Sequence, residues 1–304
     1  MDTDNQEVCS SPGAQTIRYA LVGGTKRLQA AGIESPRLDA EVLMCHALQI
    51  LKSHLYVNLD EQLEHSERCR FGDFLIRRLR REPIAYITGR QEFWSLDFLV
   101  TPEVLIPRPE TERLVEISLQ CAGAFDSDLP LRVLDIGTGS GAIAVTLAKE
   151  LPRAQLVATD VSPAALEIAR DNAARYGVAD RIQFRASSLF DSIRERGFHL
   201  IVSNPPYVES GDLAALAPEV SHWEPRTALD GGFDGLDNYR GIVAQGFRFL
   251  LPGGALIMEI GATMARAVGE LLSAAGEYTR PLIYQDYARK DRVIVAYAAS
   301  PSFF

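Results

Sequence analysis

The sequence predicts an α/β protein: a mostly parallel, seven-stranded sheet with an antiparallel terminal hairpin, preceded by a small N-terminal helical bundle. Three observations carry this. From Leu131 onward, strand-like runs alternate with helix-like stretches. Those runs are apolar throughout rather than on alternate residues, the mark of strands buried on both faces. The last two runs are joined only by "DYARKD", too short for a parallel crossover, so they form an antiparallel pair.

The elements follow in order. Ile17, Ala20, Leu21, Val22 and Leu28 recur at helical spacing, and a second helix opens at Ser35-Pro36, an N-cap with proline at the first helical position. A third, from about Asp60, carries Leu63, Phe71, Phe74, Leu75 and Leu79 and ends among Arg77, Arg78, Arg80 and Arg81. Those arginines suit either the negative end of the helix dipole or a surface that meets a partner. "REPIAYITGRQEF" breaks the pattern. Phe93, Leu96, Phe98, Val100, Val104 and Ile106 then predict a β-hairpin or extended connector, ended by Pro107 and Pro109, and a helix runs from Glu110 to Leu119. Beyond lie the strands "LRVLDIG", "AQLVATD", "RIQFRA", "FHLIVSN" and "GALIMEI". Helices are expected near 141–150, 163–176, 238–250 and 264–275, and the final strands near 278–285 and 291–298. The expected division is a helical domain at 1–88, a hairpin connector at 89–108 and the sheet domain at 109–304. A parallel sheet with an antiparallel end is the plan of class I methyltransferases, a Rossmann-like fold, rather than of a plain dinucleotide-binding sheet.

Composition narrows the function. The chain carries 31 basic and 40 acidic residues, a formal charge of −9. Residues 1–90 hold 12 of each sign, so the excess negative charge belongs to the remainder. Such a surface does not suit a protein that coats nucleic acid, and no direct nucleic-acid binding is expected. Cys9, Cys45, Cys69 and Cys121 lack metal-ligand spacing and are expected as reduced thiols, and no metal site is predicted. The N-terminal segment lacks the basic and apolar regions of a signal peptide, and no apolar run has membrane-spanning length, so the cytoplasm is the expected location.

"VLDIGTGSGAIAVTLA" places Gly137, Gly139 and Gly141 between the first strand of the sheet and its helix. Glycines there allow positive φ and close approach of a ligand. Asp160 ends the next strand, where a carboxylate can bind both ribose hydroxyls of an adenosyl cofactor. Both features fit NAD as well as S-adenosylmethionine. Asp135, just before the glycines, favours the cationic amino-acid end of S-adenosylmethionine over a pyrophosphate, which it would repel.

"SNPPY" follows the fourth strand, where ligands of open α/β sheets bind. A planar NH₂ group is a poor nucleophile because its lone pair is delocalised. A site can accept hydrogen bonds from both its protons and hold the lone pair toward a methyl donor. The Asn204 side-chain oxygen and the Pro205 carbonyl are the two acceptors expected, with Pro206 stiffening the backbone and Tyr207 packing on the planar group.

With these residues assembled, the chain resembles the HemK/PrmC release-factor glutamine methyltransferases from about residue 15 to near its end. The resemblance rests on "EPIAYITGRQEF", "VLIPRPETERLVE", "VLDIGTGSGAIA", "ATDVSPAALEIARDNA", "HLIVSNPPYV", "WEPRTALDGGFDGLDNYR" and "GGALIMEIG". "IPRPETE" together with "NPPY" is specific; "NPPY" alone also occurs in adenine methyltransferases. The resemblance implies that Gly137, Thr138, Gly139, Ser140, Gly141, Asp160 and Asn204 contact S-adenosylmethionine, with Ser188 and Leu189 flanking its adenine. It implies that Asn204, Pro205, Pro206 and Tyr207 hold a glutamine amide. The implied substrate is the Gly-Gly-Gln loop of class 1 peptide-chain release factors, gripped by the helical domain. Three positions depart from the usual pattern: Ser188 stands where the family has an acidic residue, Met264 near a usual glutamine and Arg289 near a usual glycine. Glutamine methylation of a ribosomal protein, adenine N6 methylation and cofactor binding without turnover are the competing readings.

Overall fold

The computed structural model describes residues 16–125 and 129–299. The N-terminal segment and Cys9 lie outside them. The chain forms two compact units. One comprises the chain up to Gly89 together with Pro218–Trp223, and the other Arg90–Ala217 with Glu224 onward.

The first unit is helical. α1 (Ile17–Ala30) starts at Thr16, whose hydroxyl accepts the Tyr19 N–H at 3.3 Å. α2 (Pro36–Leu48) begins at the proline expected to open it. α3 (Lys52–Val57) is a short helix that the spacing did not reveal. α4 (His65–Leu79) starts later than predicted, because Glu64 and Glu67 form a capping box there. α5 (Ile84–Thr88) occupies part of the stretch expected to break the helical pattern. Ile17, Leu28, Leu43, Met44, Leu55, Phe71 and Leu75 bury against one another as the core.

The arginines that end α4 are largely committed within this unit. Arg77 pairs with Glu82. Arg78, buried, donates to Asp39 at 2.7 Å and to Glu219 at 3.0 Å. Arg81 reaches Glu219 at 3.1 Å and the Ala31 carbonyl at 2.8 Å. These three side chains are used for bonds inside the unit, a use that neither the helix dipole nor a partner surface had suggested. Cys45 and Cys121 are free thiols. Cys69, half-exposed on α4, is disulfide-bonded, which corrects the expectation of four reduced cysteines.

The second unit opens with a hairpin, β1 (Arg90–Phe93) and β2 (Leu96–Leu99), in register Arg90↔Leu99. Its two turn residues, Trp94 and Ser95, have φ of 53° and 57°, the twist-compatible I′ form. The apolar pattern that continues to Ile106 is buried irregular chain rather than strand. α6 (Glu112–Ala122) follows a short 3₁₀ turn at Pro109–Thr111. The sheet then alternates with helices: β3 (Leu131–Ile136), α7 (Ala142–Glu150), β4 (Ala154–Asp160), α8 (Pro163–Arg175), β5 (Ile182–Ala186), β6 (Phe198–Ser203), α9 (Asp237–Gly246), β7 (Leu250–Glu259), α10 (Ala265–Ala275), β8 (Leu282–Gln285) and β9 (Asp291–Tyr297).

Strand order is β5-β4-β3-β6-β7-β9-β8, parallel from β5 to β7, with β9 antiparallel to both its neighbours. This is the seven-stranded plan the sequence predicts. Successive strand residues feed opposite layers. Val133 and Val202 meet α6 and α7, whereas Leu134 and Ile201 meet α9 and α10. Among the described residues, no helix is long and apolar enough to cross a membrane.

Candidate active site

β3 lies between β4 and β6, so the chain leaves β3 toward one side of the sheet and β6 toward the other. Divergence of the following segments opens a crevice at the strands' C-terminal ends. An open cleft lies there, lined by Gly137, Gly139, Asp160, Asn204, Pro205 and Pro206 among others.

The turn after β3 has φ of 75°, 53° and 80° at Gly137, Gly139 and Gly141. A side chain at Gly141 would also meet the Ala169 methyl at 3.1 Å, so this glycine seats α7 against α8. A Cβ on Gly137 or Gly139 would meet nothing within 4 Å, which leaves the backbone open to a ligand. The Thr159 carbonyl accepts from the Gly137 and Thr138 amides at 2.9 and 2.8 Å. The Ser140 carbonyl accepts from Asn172 at 2.9 Å.

Two carboxylates brace this turn. Asp160 accepts the Gly139 amide at 2.8 Å on one oxygen and the Ser162 amide at 2.9 Å on the other. Burial lifts its pKa above the ordinary carboxylate value, against the pull of those amides. Asp135 is wholly buried beneath the glycines. One of its oxygens accepts the Thr138 hydroxyl at 2.7 Å, and Oδ1 has no partner among the described residues. Burial pushes its pKa up to about 7. It supports the turn from below rather than lining the cleft.

At the end of β6, the Ser203 hydroxyl donates to the Ile136 carbonyl at 2.7 Å and ties this mouth to β3. The Asn204 Nδ2 donates to the Thr111 hydroxyl at 3.2 Å. Asn238, from the start of α9, donates to the Pro206 carbonyl at 3.1 Å. Segments 208–210 and 229–232 then zip together through Val208 to Leu229 (2.9 Å), Gly231 to Val208 (2.8 Å) and Ser210 to Gly232 (2.9 Å). This brings glycines under Tyr207: a Cβ on Gly231 would sit 2.7 Å from its Cα, and one on Gly235 2.5 Å from its carbonyl oxygen.

The structure thus gathers Gly137, Gly139, Asp160, Leu189, Asn204, Pro205 and Pro206 around one cleft. Thr138 and Ser140 line a smaller recess that shares Gly137, Gly139 and Asn204 with it. Ser188 is exposed and outside the lining; its neighbour Ser187 takes that place. The Tyr207 ring packs partly buried against the α9–α10 layer. Sequence reasoning assigned no role to Thr111, Asn238 or Glu259, although each lies within a stretch that carries the resemblance. Short-range spacing cannot show that residues 93 positions apart, such as Thr111 and Asn204, are bonded.

Comparison with known proteins agrees with this geometry along the chain. Residues 20–89 match the PrmC N-terminal domain and residues 121–220 the Methyltransferase small domain. A release factor glutamine methyltransferase from Moorella thermoacetica is 44% identical over 282 residues, 93% of this chain and 98% of that one. Its counterpart from Geobacter sulfurreducens is 45% identical over 283 residues, covering 93% and 97%. That of Cereibacter sphaeroides is 46% identical over 277 residues, covering 91% and 96%. Identity at this level, end to end in each relative, places the chain in the release factor glutamine methyltransferase family.

Proposed function

We propose that this enzyme transfers a methyl group from S-adenosylmethionine to the side-chain amide nitrogen (N5) of a glutamine, in the Gly-Gly-Gln motif of class 1 peptide-chain release factors. The observation that carries the reading is the placement of Asn204 and Pro205 in the same cleft as the glycine turn and Asp160. The residues present fit the cofactor. The backbone at Gly137 and Gly139 is open to a ligand, Asp160 borders the cleft, and the buried Asp135 has an oxygen without a partner among the described residues.

When bound, S-adenosylmethionine supplies an electrophilic methyl on a positively charged sulfur. Asp160, held still by its bonds to Gly139 and Ser162, would accept the ribose hydroxyls. Asp135, whose pKa burial raises to about 7, would favour the cationic amino-acid end of the cofactor from behind the glycine turn when it is ionised. Ser187 and Leu189, which line the cleft, would flank the adenine. Asn204 Oδ1 and the Pro205 carbonyl accept the two N–H bonds of the glutamine amide. They align its lone pair and offset the positive charge that builds on nitrogen. Two prolines in succession limit how far these acceptors can swing.

The substrate is a protein, and the helical unit at residues 1–88 grips its body, since that unit has its own core and lies apart from the cofactor motifs in sequence. Release factors work on ribosomes, which puts the reaction in the cytoplasm. The decisive experiment incubates the full chain with methyl-labelled S-adenosylmethionine and, separately, a class 1 release factor, that factor with the motif glutamine replaced, ribosomal protein and DNA. Label on the unaltered release factor alone supports the reading. Label on ribosomal protein or DNA in its place overturns it.

A further inference from the structure

The two acceptors proposed for the glutamine amide are held in different ways. One is the side-chain oxygen of Asn204. The other is the backbone carbonyl of Pro205, whose direction depends on the chain around it. That carbonyl belongs to the Pro205–Pro206 peptide, and two torsions of Pro206 relate it to the next peptide, Pro206–Tyr207. The ring of Pro206 fixes φ at about −65°, so ψ is the torsion left to set. It is set only if the Pro206–Tyr207 peptide is itself held. A side chain does this: Asn238 Nδ2 donates to the Pro206 carbonyl at 3.1 Å. A carbonyl oxygen can only accept, so the NH₂ end of Asn238 is the end that faces it.

Asn238 is presented from a rigid base. It is the second residue of α9 and lines the cleft together with Asn204, Pro205 and Pro206. On one side of it, the Asp237 N–H donates to the Gly231 carbonyl at 3.0 Å and the Gly231 N–H to the Val208 carbonyl at 2.8 Å. The start of α9 is thereby tied to the chain just beyond Tyr207. On the other side, Tyr239 is fully buried and its hydroxyl donates to the Glu259 carbonyl at 2.8 Å, which pins the same turn of helix to the end of β7. Asparagine is a weaker helix former than the straight-chain residues, and here its amide serves the neighbouring segment rather than its own helix. From this placement we infer that Asn238 is a positioning residue: by holding the Pro206 carbonyl it fixes the direction in which the Pro205 carbonyl meets the amide that receives the methyl group. The inference rests on the acceptor roles proposed above and extends them to a side chain 32 positions along the chain from Pro206.

The test uses the full chain. Asn238→Leu keeps much of the side-chain shape and removes the donor; Asn238→Ala, smaller and equally without a donor, carries the same measurements should leucine prevent folding. The direct readout is the Pro206 carbonyl itself. Pro206–Tyr207 is the one Pro-Tyr pair in the sequence, so labelling proline with ¹³C at the carbonyl and tyrosine with ¹⁵N gives a single carbonyl-to-amide correlation by NMR. A hydrogen bond deshields a carbonyl carbon, so this resonance is expected to move upfield in the variant. With whichever acceptor the wild type labels, kcat of the variant falls on the order of tenfold, as expected for a displaced acceptor, while S-adenosylmethionine affinity by calorimetry stays within about threefold. A carbonyl resonance that does not move overturns the inference. So does an unchanged kcat, and so does a loss of cofactor affinity as large as the loss of kcat, which would mark general damage to the cleft. The two readings fail separately. A wild type that labels ribosomal protein in place of a release factor ends the substrate assignment, and Asn238 is then judged on that acceptor. A wild type that labels no acceptor ends the proposed function and this inference with it. An active wild type matched by Asn238→Leu ends this inference alone.

Discussion

The backbone amide of Gly139 donates to the carboxylate of Asp160 at 2.8 Å. One side chain therefore both holds the glycine turn in shape and borders the cleft. Asp160→Ala is expected to weaken S-adenosylmethionine binding by about ten- to a hundredfold, the range for losing charge-assisted hydrogen bonds. Because such contacts act alike in ground and transition states, kcat at saturating cofactor should change far less. Calorimetry and steady-state kinetics check this, and an unaltered affinity would place the ribose elsewhere.

Asn204→Ala should show the opposite split. Loss of an oriented acceptor at the reacting amide lowers kcat by on the order of a hundredfold or more. Cofactor affinity should stay within a few-fold of wild type, and circular dichroism should be unchanged. A variant that keeps more than about a third of wild-type kcat is incompatible with the acceptor role.

Gly235→Ala tests the support under Tyr207. The added methyl would lie 2.5 Å from the Tyr207 carbonyl oxygen, at a position whose φ is 71°. Strain of this kind costs about 1–3 kcal/mol. The expectation is a melting temperature lower by several degrees and a kcat reduced more than cofactor affinity, because the displaced segment carries the amide acceptors. A melting curve and kcat that match wild type would show that the segment yields freely.

Two buried carboxyls give stability a pH dependence. Asp135 and Glu259 have ordinary values of 3.8 and 4.5, and burial raises both to about 7 in the folded chain. Between those limits the folded state binds protons that the unfolded state has released. Their contribution is fully present below the unfolded values and is lost as pH rises through about 7. Asp135→Asn removes one of the two groups. The melting temperature of wild type minus that of Asp135→Asn should therefore fall as pH rises from about 4.5 to 7.5. A difference that stays flat or rises contradicts burial as the cause.

How far the sequence could be read depended on the range of the interactions involved. Strands β3 to β7 were legible because burial on both faces demands unbroken apolar runs, and the short "DYARKD" link settled the antiparallel end. The Trp94–Ser95 turn was obscure, since its left-handed residues are neither glycine nor asparagine. Helix α3 has six residues and one buried apolar position, too few to show a period. In the site, the glycine turn, Asp160 and Asn204 stood out because each sits at a strand end. Thr111 belongs to another element, and only the folded chain brings it to Asn204. The arginines at the end of α4 suited either the helix dipole or a partner surface, and only the fold shows Asp39 and Glu219 accounting for Arg78.

The six residues Pro218–Trp223 belong to the helical unit although the chain reaches them only after β6. That unit therefore cannot be finished when its first 89 residues have left the ribosome. At roughly 5–20 residues per second, Glu219 arrives on the order of ten seconds later. Throughout that interval Arg78 has Asp39 but not its second carboxylate, and Arg81 lacks the same partner. The nascent N-terminal part is then a bundle whose last ionic contact is delivered by the sheet half of the gene. Its complete assembly is in that sense a signal that the strand leading into Asn204 has already been made.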